Sequence, residues 1–205
     1  MKRSIATSAA IVMLAAGGFG QNYTIAIDGK ETPIDLAKPT PVKLADGRTV
    51  TLVLKQKEVV RFTSDAFSFE HKSIFSPSRT KLDENAYQTM MASPQGTVVM
   101  IQEYGSINPA PLIDMLLKEL TKEEVKYGYK YAESPARQTL SDGTVLTGKK
   151  AVTTYRDDEW TRSVLCYGGK DEGILVVTAV EKGNWKQDGD IIDRFWKTFK
   201  ILKPK

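Results

Sequence analysis

The spacing of apolar residues divides the chain into stretches of different character. Over residues 21–62 short β-prone runs, "YTIAI", "TVTLVL" and "EVVRF", alternate with turn chemistry at residues 28–30, 38–41 and 45–48. Asp-Gly at two of these turns supplies the positive φ that tight connections demand, so the stretch predicts a β-meander. From residue 63 onward alternating strands follow: "FSFEH", "AYQTMMA", "TVVMIQEY" and "KKAVTTYR". Two segments carry helical spacing instead. In the first, Leu112, Ile113, Leu116, Leu117 and Leu120 share one face, with Asn108 as the expected N-cap and Pro109 at the first helical position. In the second, Ile191, Ile192, Phe195, Trp196 and Phe199 do the same, with Asp188 or Asp190 as the expected cap.

Between the helices lie the longest strands, "EWTRSVLCYG" and "GILVVTAVE", joined through Gly168, Gly169 and Gly173 as a hairpin with a loop of three to five residues. Residues 174–180 are nearly all apolar, which predicts a strand covered on both faces. The expected fold class is therefore α+β: an antiparallel β-sheet flanked by helices, an α/β/α sandwich over residues 63–205, with the meander as an N-terminal extension.

The start of the chain has a different logic. Lys2 and Arg3 precede an apolar run from about Ile5 to Leu14, and small residues follow at Gly18 and Gly20. This is the layout of a secretory signal peptide over residues 1–20, cleaved before Gln21. The run is short of the roughly 20 apolar residues that cross a bilayer. The expectation is a periplasmic or secreted protein with no transmembrane segment after cleavage. Removing Lys2 and Arg3 lowers the formal charge from +4 to +2, so part of the apparent basicity belongs to targeting. No basic patch dense enough to neutralise phosphates remains, and nucleic acid is not an expected partner.

The chain has one cysteine and one histidine. Alternation places Cys166 with Trp160 and Val164 beside the apolar strand, the setting of a small hydrophobe whose thiol stays protonated. His71 falls with Phe67 and Phe69, and nothing local brings it to Cys166. Zinc-type spacings, nucleophile elbows and phosphate loops are missing from the sequence, so neither a metal nor a cofactor is expected. The acids of "DDE" at residues 157–159 read as a solvated turn. Asn22 and Thr24 frame a glycosylation sequon that matters only in a eukaryotic host. One stretch, "KYGYKYAE" at residues 126–133, interleaves tyrosine with lysine. Read as a strand, it puts Tyr127, Tyr129 and Tyr131 on one face, either packed on the domain or presented to a partner.

The order of elements, the "GKKA" of residues 148–151 and the closing "IIDRFWKTFKI" resemble the PsbP-like family, the α/β/α sandwich shared with Mog-type Ran-binding proteins and with exported bacterial proteins. The likeness covers roughly residues 67–202 and leaves the meander outside. It implies a binding or accessory module rather than an enzyme and names no partner; with no catalytic residues to single out, the leading expectation is an exported protein that contacts another protein or a cell-envelope component through a sheet edge or the tyrosine face. The competing expectations are a hydrolase-type enzyme with a dispersed carboxylate site and a carrier of a small apolar ligand.

Overall fold

The computed structural model describes residues 23–202, so the expected signal peptide, its cleavage point and Asn22 of the sequon lie outside the described residues. The chain forms two compact units divided between Gln56 and Lys57.

In the first unit β1 (Tyr23–Ile27) pairs antiparallel with β2 (Lys30–Ile34) through a loop of two residues. Asp28 and Gly29 in that loop both adopt positive φ, 49° and 76°, the conformation for which Asp-Gly is suited. A second hairpin pairs β3 (Pro39–Lys43) with β4 (Thr49–Val53). The "KPTP" read from sequence as a turn therefore mostly lies in a strand. A two-stranded ladder leaves one side of each strand unpaired, and there a missing N–H costs nothing.

The second unit is built on seven antiparallel strands in the order β10 (Lys130–Thr139), β11 (Val145–Tyr155), β12 (Asp158–Gly168), β13 (Gly173–Glu181), β9 (Val98–Tyr104), β8 (Ala86–Ala92), β7 (Ser78–Asp83). Its central strand, β13, is buried from Ile174 to Val180, as its nearly all-apolar run predicts. Gly168 pairs with Gly173 across a four-residue loop to join β12 and β13. At Gly148 a Cβ would lie 2.1 Å from the Val164 carbonyl oxygen, so β11 approaches β12 at a distance that only glycine permits. A smaller sheet, β5 (Val59–Thr63), β6 (Phe67–Lys72) and β14 (Lys200–Ile201), brings Phe62, Phe67 and Phe69 to the core.

Two helices complete the unit. Helix α1 (Leu112–Tyr127) buries Ile113 and Leu117 against Ala151, Val164, Cys166, Leu175 and Val177 on one face of the large sheet. Helix α2 (Trp185–Thr198) buries Ile191, Ile192 and Phe195 on the other face, among Val99, Ile101, Leu165, Val176, Phe67 and Phe69. Both start elsewhere than expected. Asn108 accepts a hydrogen bond from the Ala110 amide at 2.9 Å, but in a turn ahead of α1, whose N-cap position is held by Pro111. Asp188 and Asp190 lie inside α2, after an N-cap at Asn184. Asp188 is buried and accepts from the Ser93 hydroxyl at 2.5 Å, while Asp190 pairs with Lys72 at 2.5 Å.

The α/β/α sandwich expected from sequence is overturned. Among the described residues strands account for 53% and helical residues for 18%, the latter in two α-helices and a short 3-10 helix (Lys182–Asn184), and the fold is a β-rich, mostly antiparallel one. The reason is dimensional. Seven strands spaced about 4.8 Å apart make a sheet roughly 30 Å wide, close to three helix diameters. One helix per face cannot form a covering layer, and beside α2 the small sheet supplies much of the remaining cover.

Candidate functional site

The site begins with how α1 ends. The helix runs through Val125 and Lys126 to Tyr127 and stops because Gly128 adopts φ 110°. The Gly128 amide donates to the Val125 carbonyl at 3.1 Å and the Tyr129 amide to the Glu124 carbonyl at 3.0 Å. This is the Schellman arrangement, which turns the chain back across the helix end. Tyr127 and Tyr129 are thereby brought together with ring centroids 6.2 Å apart, and the chain enters β10 at Lys130.

A third ring arrives from the sheet. Strand β10 pairs with β11 so that Lys130 faces Thr154, which places Tyr155 at the same end. Tyr155 stacks on Tyr129 at 5.2 Å and meets Tyr127 edge-on at 5.4 Å. Strands β11 and β12 are joined by only Arg156 and Asp157, with Tyr155 opposite Asp158. Arg156 takes φ 53°, a left-handed conformation unusual for a residue with a long side chain. Its guanidinium carbon lies 5.2 Å from the centre of the Tyr155 ring.

These residues surround an open pocket of about 510 Å³, completed by Glu123, Glu124 and Asp158. Glu124 is held from behind. Arg162 donates to its two carboxylate oxygens at 2.8 and 2.5 Å, and the Thr153 hydroxyl adds a third bond at 2.5 Å. Asp158 accepts from the Tyr129 hydroxyl at 3.2 Å, and Glu123 is only loosely paired, 3.9 Å from Lys126. Partial burial, followed by the Asp158 charge, pushes the Tyr129 phenol above its ordinary pKa. Tyr127 is 71% exposed, the most open of the three rings.

The strand face expected for Tyr127, Tyr129 and Tyr131 does not form, because Tyr127 belongs to the helix. Tyr131 is on β10, outside the ring cluster. Its hydroxyl donates to Glu133 at 2.6 Å, and Lys149 donates to Glu133 at 2.7 Å while pairing with Asp114 of α1 at 2.8 Å. Burial and the bond to Glu133 push the Tyr131 phenol up to about 12. Lys149 holds the Glu133 carboxyl below its usual range, with Tyr131 adding to the effect. Tyr155, Arg156 and Asp158 were missed by the sequence reading. The signal was present in "TTYRDDE", where two turn residues between strands force the flanking side chains to one end of the sheet.

The remaining chemical candidates are kept apart. Cys166 is 9% exposed on the α1 side of the sheet, where burial pushes its thiol pKa up. His71 is buried on β6, its ring 5.9 Å from that of Phe69 and its Nδ1 2.9 Å from the Lys72 carbonyl oxygen. With Phe69 in the α2-side core and Cys166 in the α1-side core, the large sheet lies between the two. The three acids of "DDE" diverge: Asp157 is in the hairpin loop, Asp158 faces Tyr129, and Glu159 pairs with Lys182 at 3.0 Å. Among the described residues no three of His, Cys, Asp and Glu come together as a metal site, and no helix is long and apolar enough to cross a membrane.

No protein-family model matches the chain, and no curated protein matches it either. In structure the chain is similar to cyanobacterial PsbP (CyanoP) from Synechocystis sp. PCC 6803, with 11% sequence identity, a TM-score of 0.45, and coverage of 71% of this chain and 93% of that one.

Proposed function

We propose that this is an exported, non-enzymatic binding protein that docks a protein partner through the tyrosine pocket at the end of α1. The observation that carries the reading is the convergence of Tyr127 from α1, Tyr129 from the turn that follows it and Tyr155 from β11 onto one open pocket, with Tyr127 largely exposed. Tyrosine supplies large contact area at low entropic cost, and docking sites concentrate their binding energy on such anchors. The surroundings are pre-ordered by the Schellman turn and by the Glu124–Arg162 pair, which reduces what a partner must immobilise on binding.

The test is affinity capture of the protein from its own cells, run beside Tyr127→Ala and beside Tyr167→Ala, an exposed tyrosine on β12 outside the pocket. A specific partner retained by wild type and Tyr167→Ala but lost by Tyr127→Ala supports the reading. Equal retention by all three overturns it. Export is tested separately, by sequencing the N-terminus of protein recovered outside the cytoplasm: a start at or near Gln21 is expected, and an intact Met1 refutes it.

A further inference from the structure

We infer that the group received by the tyrosine pocket is an arginine side chain of the partner, an inference that rests on the docking role proposed above and names its chemistry. The first ground is a cation already on the rings. Arg156 holds its guanidinium 5.2 Å from the centre of Tyr155, within the range at which a ring face attracts a cation. It does so from a two-residue hairpin loop at φ 53°, a position that glycine occupies more comfortably. The second ground is charge. Glu124 is neutralised by Arg162, whereas Glu123 is held only by an exposed, 3.9 Å pair to Lys126, and Asp158 accepts only from the uncharged Tyr129 hydroxyl. The pocket therefore presents two loosely engaged carboxylates to an incoming cation beside electron-rich rings.

The third ground is shape. The rings of Tyr129 and Tyr155 stack on each other, so no enclosed aromatic box is available for a compact ammonium group. What is open is the exposed Tyr127 ring, beside Glu123 and near Asp158. A flat guanidinium stacks on an aromatic face while its edge donates hydrogen bonds to a carboxylate, a combination that a lysine ammonium cannot reproduce.

The inference is tested by NMR titration of the protein with an acetylated, amidated glycine pentapeptide carrying one central arginine, with its lysine counterpart, and with tetramethylammonium chloride. Saturable shifts at Tyr127, Tyr129 and Tyr155 are expected with the arginine peptide. Affinity should fall about five- to tenfold in Tyr127→Ala, the effect of losing one cation–π contact. It should fall also in Asp158→Asn, and rise in Arg156→Gly, where the internal guanidinium no longer competes. Absence of a saturable shift with the arginine peptide, or equal binding of the lysine peptide or tetramethylammonium, overturns the assignment. So does loss of affinity in Arg156→Gly. Capture that depends on Tyr127 while the arginine peptide fails to bind would sink this assignment and leave the docking role standing.

Discussion

Arg162 spans the two carboxylate oxygens of Glu124 at 2.8 and 2.5 Å, joining β12 to the last turns of α1 directly behind the tyrosine pocket. Arg162 is 8% exposed, and its guanidinium carbon also lies 5.0 Å from the centre of the Trp160 ring. Removing one member leaves the other charge, buried at Arg162 or partly buried at Glu124, without its ionic partner. Arg162→Met is expected to cost about 3 kcal/mol, whereas Arg162→Met with Glu124→Leu should recover a large part of that loss. Urea denaturation of the two single variants and the double variant measures it. A double variant no more stable than the sum of the singles would refute the coupling.

Phe195 is fully buried, whereas its neighbour Trp196 packs at the border of the same core. Phe195→Ala is expected to cost about 3–5 kcal/mol, a large fraction of a margin of roughly 5–15 kcal/mol. Trp196→Ala should cost distinctly less. Thermal and urea unfolding compare them, and equal losses would contradict the difference in burial.

Cys166 packs against Ile113 and Leu117 beneath α1, with its thiol pKa raised by burial. A thiol reagent should label the native protein far more slowly than the urea-unfolded chain. Cys166→Ala should cost about 1 kcal/mol, the order expected for losing part of a small buried side chain. Labelling at the rate of the unfolded chain would contradict the packing.

Glu103 on β9 is buried, and although Arg79 lies 3.1 Å away, desolvation outweighs that charge and raises the carboxyl above its ordinary pKa of 4.5. Between 4.5 and the raised value the folded chain binds more protons than the unfolded one, so this group's contribution to stability is complete below 4.5 and is lost as pH rises through the folded pKa. Glu103→Gln lacks that loss. Its stability relative to wild type should rise from about pH 4.5 to 7, as read from urea midpoints across the range. A flat or falling difference would refute the assignment.

What the sequence determined by itself is what depends on neighbours along the chain. The period of apolar residues located α1 and α2. The nearly all-apolar run from Ile174 marked the strand buried on both faces, and Asp28-Gly29 marked a hairpin turn. Cys166 could be assigned to packing, and His71 placed with Phe67 and Phe69, because alternation alone tells which side chains share a face. Element ends were less legible: Asn108 and Asp188 have the right chemistry for caps, but a buried bond to Ser93 claims one and a preceding turn the other. The number of layers was decided only in three dimensions, since sheet width depends on how many strands pair, and pairing is non-local. The tyrosine pocket belongs to the same class. Residues 123–129 and 155–158 are separated in sequence by the whole of β10 and β11, and only the Schellman turn at Gly128 together with the β10–β11 register brings Tyr127, Tyr129 and Tyr155 into contact.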